Sequence, residues 1–186
     1  MRKLRIFLSI SLDGYFADEN GDLNWAHSDD TEFNAFVAGN ASAGGELVMG
    51  RVTYDLMAAY WPTAVAKQND PVVAEGMNSL PKLVFSRKTR EATWANTRLT
   101  NDDPVDTIRV LKREQGRDLV VLGSGSIVRQ LATAGLVDGF QFVVVPIVLG
   151  RGQSVFADIG ETIRLQLTGN RAFGNGNLVL TYIPAS

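Results

Sequence analysis

Three short stretches carry residue types suited to holding phosphate. The first is Gly123-Ser124-Gly125-Ser126, inside LVVLGSGSIVRQL, which reads as an apolar strand, a glycine turn and the opening of a helix. Glycines let backbone N–H groups approach a pyrophosphate closely at a helix N-terminus, where the first amides lack intrahelical partners. The second is Gly50-Arg51-Val52-Thr53, again following a strand and opening a helix. It adds a glycine for close approach, a guanidinium for a phosphate and a hydroxyl. The third is Ser86-Arg87-Lys88, at the end of the strand Lys82 to Phe85. Each alone also fits a plain reading, as a tight turn that binds nothing or a solvated basic turn. In an open α/β sheet, however, ligands gather at the carboxyl ends of the strands. Three such ends, each with glycine or serine and two with cations, suit one long phosphorylated ligand, a nucleotide.

The glycine turn is not the usual dinucleotide fingerprint. That pattern needs G-x-G-x-x-G after the first strand, and an acid about 20 positions on for the ribose. Here Val128 stands where the third glycine belongs, and the turn falls late in the chain. The next acid, Asp138, comes too early and precedes another strand.

The elements that position these stretches follow from periodicity and punctuation. Leu4 to Leu12 is an apolar strand ending in Asp13-Gly14, and a polar loop from Ala17 to Asp29 carries Trp25 and His27. Asp29 or Asp30 N-caps a helix with Phe33, Phe36 and Val37 on its apolar side, ending near Gly39. Glu46 to Met49 is a strand feeding a helix, Ala58 to Asn69 reads as a loop, and Asp70-Pro71 starts a helix toward Leu80. After the strand from Lys82, Asp103-Pro104 opens a helix that ends near Gly116. Leu119 to Leu122 is a strand, and Ser126 to Ala134 a helix stopped by Gly135. From there strands run consecutively: Phe140 to Leu149, then Leu165 to Phe173 turning through Asn175-Gly176 into Leu178 to Ile183. The pattern predicts one α/β domain over residues 1–186, with a mixed sheet, parallel early and antiparallel at its C-terminal edge.

Composition narrows the function classes. Eighteen basic against twenty acidic side chains, a net charge of -2, argues against a nucleic-acid binder. No apolar run approaches the roughly 20 residues of a membrane span. The N-terminal stretch does not read as a signal peptide, since Asp13 and Asp18 interrupt it too soon, so the cytoplasm is the expected location. The absence of cysteine removes thiolate chemistry and disulfides, and the single histidine, His27, leaves little for a metal site or a nucleophilic triad. No metal is expected. A homodimer formed through the strand Phe140 to Leu149 is a further expectation. The same run reads equally as a central strand, although Pro146 suggests an edge or a bulge.

An ordered set of motifs covers nearly the whole chain: Ser11-Leu12-Asp13-Gly14-Tyr15-Phe16-Ala17, Met49-Gly50-Arg51-Val52-Thr53-Tyr54, Phe85-Ser86-Arg87, the glycine turn with Leu136-Val137-Asp138, and Pro146-Ile147-Val148-Leu149-Gly150-Arg151-Gly152 with Phe156. Together they resemble the dihydrofolate reductase superfamily. The nearest branch is the reductase domain at the C-terminus of the bifunctional deaminase-reductase of riboflavin biosynthesis, with its stand-alone relatives. The resemblance implies a three-layer fold with a mixed, mainly parallel sheet, an antiparallel C-terminal hairpin and helices on both faces. It implies NADPH as hydride donor and a pyrimidine or pterin-like small molecule as substrate. Gly50, Arg51 and Thr53 then contact cofactor phosphate, Ser86 and Arg87 take the adenosine 2′-phosphate, and Gly123, Ser124, Gly125 and Ser126 cradle the pyrophosphate. Ala17 stands at the end of the first strand near the nicotinamide, followed by a mobile lid.

At the substrate end the resemblance implies an acid five positions after a loop tryptophan. Trp25 and Asp30 have that spacing, so Asp30 is the candidate acid, with an N-cap as its alternative role and Glu32 as a fallback. Phe33 and Phe36 are read either as packing for a planar heterocycle or as plain core. Asp13 is a substrate contact or a turn residue, and Trp25 a substrate contact or lid packing. Tyr15 replaces the lysine usual in the riboflavin branch, and the Asp-Asn-Pro stretch of that branch has no counterpart between Ala58 and Pro71. Asn24 replaces the proline that precedes the tryptophan in folate reductases, and no arginine is placed for a folate tail. The implied activity is that of an NADPH-dependent reductase most like 5-amino-6-(5-phosphoribosylamino)uracil reductase. Dihydrofolate reduction is one alternative, and a non-catalytic nucleotide-binding module another.

Overall fold

The computed structural model describes residues 1–186 except Arg90, Asp158 and Ser186, and for Ser42 the backbone alone. Strand β1 (Leu4–Ser11) is followed by β2 (Tyr15–Ala17), a 3-10 turn (Asn24–Ala26) and helix α1 (Thr31–Ser42). β3 (Glu46–Gly50) leads into α2 (Arg51–Tyr60), α3 (Ala64–Asn69) and α4 (Pro71–Ser79). Next come β4 (Lys82–Phe85), β5 (Thr97–Thr100), α5 (Pro104–Arg113) and β6 (Leu119–Val121). The chain continues through α6 (Gly125–Thr133), β7 (Gly139–Val145), β8 (Gln153–Ser154), β9 (Leu165–Ala172) and β10 (Leu178–Pro184).

Eight strands share one sheet in the order β5-β4-β3-β6-β1-β7-β10-β9. The strands from β5 to β7 pair in parallel, whereas β10 runs antiparallel to both β7 and β9. β2 and β8 form a separate antiparallel pair. Side chains alternate across each strand, and the two parities feed two cores. Leu4, Ile6, Phe140 and Phe142 pack with Ile108 of α5 and with Ile127 and Leu131 of α6. The opposite parity serves the other face, where Leu47, Met49 and Val84 meet Tyr54 of α2 and Val73 and Met77 of α4. On the same side Val143 and Val145 meet Phe33 of α1. The result is the expected three layers with helices on both faces.

Several local expectations are corrected. Ala58 to Asn69 is not a loop: α2 continues to Tyr60, and Thr63 caps α3 by accepting the Ala66 amide at 3.1 Å. Only Ala66 of that short helix is buried, so its polar sequence carried no apolar period. β5 was not anticipated, because Thr97–Thr100 is an edge strand whose conformation comes from pairing with β4. α1 runs past Gly39 to Ser42. The strand from Phe140 stops at Val145, since Pro146 has no N–H to donate. β7 lies between β1 and β10, so both of its edges are already paired, and the edge reading drawn from Pro146 fails. Among the described residues no helix is long and apolar enough to cross a membrane.

Lys82 is the largest side chain in the fully buried set. Its Nζ donates to the carbonyls of Leu80 at 2.7 Å, Ala95 at 3.1 Å and Asn78 at 3.3 Å, and it lies 4.3 Å from the centre of the Trp94 ring. Trp94 Nε1 donates to Asn78 Oδ1, and Tyr54 Oη accepts the amides of Thr93 and Trp94. These contacts anchor the segment that returns from the end of β4 to β5. Burial lowers the Lys82 pKa from 10.5 to about 8. The unfolded chain therefore holds more protons between those values, and stability rises with pH across that window. Paired thermal melts from pH 7 to 10 are expected to show the wild type gaining on Lys82→Met by at most about 3 kcal/mol.

Candidate functional site

The strand order creates a crevice. β3 leaves its carboxyl end toward the α1, α2 and α4 face, whereas its neighbour β6 leaves toward the α5 and α6 face. Adjacent strands departing to opposite faces open a gap at their carboxyl ends, the usual ligand position in such sheets. Gly50 and the turn Gly123–Gly125 line that gap.

The two turns touch because glycine lets them. A Cβ on Gly50 would collide with Ser124 Oγ, and one on Gly123 would stand 2.8 Å from Thr53 Oγ1. Gly123 also has φ +130°, a region side chains disfavour. Gly50 N–H donates to the Gly123 carbonyl at 3.3 Å, and Thr53 Oγ1 donates to Ser124 Oγ at 3.4 Å. A Cβ on Gly125 would strike the ring of Phe16, which lays β2 across the turn. The sequence offered no sign of that third contact.

The helices opening at these turns differ in their caps. Asp30, Thr63 and Asp103 accept amides at the starts of α1, α3 and α5. Gly50 and Ser124 give α2 and α6 no side-chain acceptor, so these two neighbouring N-termini keep amides for another partner. Ser126 is exposed on the first turn of α6. Arg51, on the first turn of α2, is half exposed and pairs with Asp55 at 2.7 Å. Register sets Gly50 opposite Phe85, so Arg51 and Ser86 emerge side by side from β3 and β4. Ser86 Oγ accepts the amides of Thr89 at 2.8 Å and Lys88 at 3.2 Å, shaping a turn that exposes Arg87.

Toward β1 and β7 the predicted residues separate. Ala17 is not at the end of the first strand: β1 ends at Ser11, and the buried Ala17 ends β2 opposite Gln153 of β8. Asp13 takes the turn role. It accepts Ser11 Oγ at 2.7 Å and the amides of Gly150 at 2.8 Å and Leu149 at 3.1 Å, latching the β1 turn to the segment after β7. The Ser11 hydroxyl, with those amides and against a desolvation effect, holds its carboxyl below the usual range. Phe33 lies in the core. It is 5% exposed and meets Phe173 edge-on at 5.3 Å, because positions 33, 36 and 37 form the sheet-facing side of α1. Trp25 packs on that same cluster and donates Nε1 to the Asp22 carbonyl at 3.1 Å. Glu32 is paired with Arg171 at 2.7 Å, and His27 is exposed.

Asp30 is the N-cap of α1. Its Oδ1 accepts the Phe33 amide at 2.7 Å, while Oδ2 has no hydrogen-bond partner among the described residues and faces Gly174 in the β9–β10 turn. That turn also reaches Ser28, whose Oγ accepts from Asn175 Nδ2 at 2.7 Å. Asn175-Gly176 was legible only as a hairpin, and nothing in its local sequence pointed to a residue 147 positions away. Among the described residues there is no cluster of His, Asp or Glu able to hold a metal ion.

The sequence profile of the RibD C-terminal domain matches residues 2–179. The chain belongs to the RibD C-terminal domain family. A relative, the uncharacterized protein YyaP of Bacillus subtilis, is 28% identical over 182 residues, covering 97% of this chain and 94% of YyaP. The RibD-type fold matches a deaminase and 5-amino-6-(5-phosphoribosylamino)uracil reductase from Thermotoga maritima with a TM-score of 0.71 and 14% identity, over 99% of this chain and 57% of that one. It also matches dihydrofolate reductase from Enterococcus faecalis complexed with NADP(H), with a TM-score of 0.64 and 14% identity, over 99% and 97% of the two chains. The fold of this RibD-type domain is thus dihydrofolate-reductase-like.

The glycine contacts give a direct check. Gly125→Ala is expected to destabilise by about 1–3 kcal/mol through its clash with Phe16. Gly39→Ala, on an open helix surface, is expected to stabilise by about 0.5–1 kcal/mol. Opposite shifts in melting temperature would establish that packing, rather than glycine content, governs the turn.

Proposed function

We propose that the chain is an NADPH-dependent reductase of a small planar heterocycle of the pyrimidine or pterin class. The observation that carries this reading is the pair of side-chain-uncapped helix N-termini, α2 and α6, side by side at the crevice with Arg51 beside them. Phosphate oxygens are the natural acceptors for such amides, and a diphosphate spans two adjacent turns. The donor set fits the cofactor: the amides of Gly125 and Ser126 with Ser124 for the pyrophosphate, and Gly50, Arg51 and Thr53 beside them. Ser86 and Arg87, one strand further out, suit the 2′-phosphate that separates NADPH from NADH. Membership of the RibD C-terminal domain family supports the same assignment.

When bound, NADPH supplies the hydride. The chain's own work is alignment and exclusion of water. Phe16 on β2 forms the wall over the glycine turn, and Trp25 packs its loop onto the aromatic cluster under α1. Asp30 presents its free Oδ2 at the ring end, as the group that contacts the reacting heterocycle and handles its proton. Dihydrofolate is the second substrate reading, favoured by the five-residue spacing of Trp25 and Asp30.

Saturating NADPH, near 100 times its Kd, should raise the melting temperature by about 5–10 °C. NADH should do much less, Arg87→Ala should narrow that preference, and Arg51→Ala should abolish the shift. No shift with either nucleotide would refute the reading. NADPH oxidation assayed with dihydrofolate, dihydropterin and pyrimidine ribotides should identify one accepted class. Asp30→Asn should then lower turnover at least about 100-fold while leaving the NADPH shift intact.

A further inference from the structure

The ring end of the site holds a polar side chain that the fold does not use. Asn177 stands just before β10 and is 3% exposed. Its backbone is engaged, the amide donating to Asn175 Oδ1 at 3.0 Å and the carbonyl accepting from Phe173 at 2.9 Å. Its side-chain amide has no hydrogen-bond partner among the described residues. Thr97 Oγ1 is the fully buried unpaired side-chain atom among the described residues, so the Asn177 amide, in a residue 3% exposed, keeps its unpaired atoms at a small opening to solvent.

Its surroundings connect it to the acid. Alternation along β10 sets Asn177 on the face of Val179, which packs with Phe33, Phe173 and Val143 under α1. Phe173 and Gly174 join it to the point where Asp30 Oδ2 faces the turn without a partner. Ser28 has capacity left as well. Its Oγ accepts from the Asp30 amide at 3.1 Å and from Asn175 Nδ2 at 2.7 Å, which fills both lone pairs and leaves its proton to give. The hairpin tip that carries Asn177 thus contacts both Ser28, through Asn175, and Asp30, through Gly174.

We propose that Asn177 is a substrate contact that determines specificity, its amide pairing with the lactam edge of a planar heterocycle while Ser28 and Asp30 complete the polar rim. This rests on the reductase reading above. A primary amide carries N–H and C=O side by side, the complement of a ring N–H next to a ring carbonyl. Oxopyrimidines and pterins share that edge. A site built to hydrogen-bond such an edge rejects analogues that lack its N–H, because its own groups are then left unpaired.

Lumazine and 1,3-dimethyllumazine, which lacks both ring N–H groups, are the probes. Each is titrated by fluorescence into wild type, Asn177→Leu and Asn177→Ser, with and without NADPH. Wild type should bind lumazine at least about tenfold tighter than its dimethyl derivative, and both variants should lose that discrimination. Unliganded Asn177→Leu should melt no lower than wild type, because an apolar group of similar size replaces an unpaired amide. The proposal is overturned if lumazine does not bind with or without NADPH, or if wild type binds both probes equally. It is also overturned if Asn177→Leu melts lower and keeps the preference, which assigns the amide a structural role. A loss of NADPH affinity in the variants would assign the amide to the carboxamide of the cofactor instead, and equally overturn it. Failure of NADPH to bind wild type refutes the reductase reading separately, since the titration without cofactor still reads the amide.

Discussion

The contact on which the site depends is the approach of two chain turns, the one leaving β3 and the one leaving β6. Parallel strands separated by one ladder spacing cannot bring their following helices any closer if both turns carry side chains. Glycine at 50 and 123 removes the obstruction, and Ser124 and Thr53 occupy the space so released, while Gly125 makes room for the ring of Phe16. Two helix N-termini then point into one crevice with their first amides free of side-chain acceptors. The polarity of the crevice is a consequence of backbone geometry, and the charged side chains at its rim, Arg51 and Arg87, add to a field already present.

The opposite half of the site is built on different terms. Around β1, β7 and the β9–β10 hairpin the polar groups are side chains, and most are already committed to holding loops together. Asp13 latches the β1 turn to residues 149–150, Trp25 sits on an aromatic cluster, and Glu32 is engaged by Arg171. Among the described residues, one oxygen of Asp30 and the side-chain amide of Asn177 have no hydrogen-bond partner there.

The sequence disclosed these halves unequally. Gly-Arg-Val-Thr, Ser-Arg-Lys and Gly-Ser-Gly-Ser were legible because each lies at the end of an apolar run, and a strand end is a local event. The alternation of strand and helix was legible for the same reason. α3 was hidden because a six-residue helix with one buried alanine has no period to read. β5 and β2 were hidden because they are strands only by virtue of their partners. Phe33 was legible as an apolar helix position, yet which side it faced depended on Phe173, far along the chain. Asn177 drew no reading at all, since a missing partner is visible only when everything around it has been placed.

The bond between Ser28 and Asn175 spans 147 positions, whereas the contacts of the glycine turn lie between segments joined by a continuous run of parallel strands. Doubling a closed loop costs only about 0.6 kcal/mol, so sequence distance is little obstacle to such a bond. The last hairpin of the chain is thereby fastened to the entry of α1. A change at Asn175 reaches Ser28 and, through the bond Ser28 accepts from the Asp30 amide, the first turn of a helix built from the other end of the sequence.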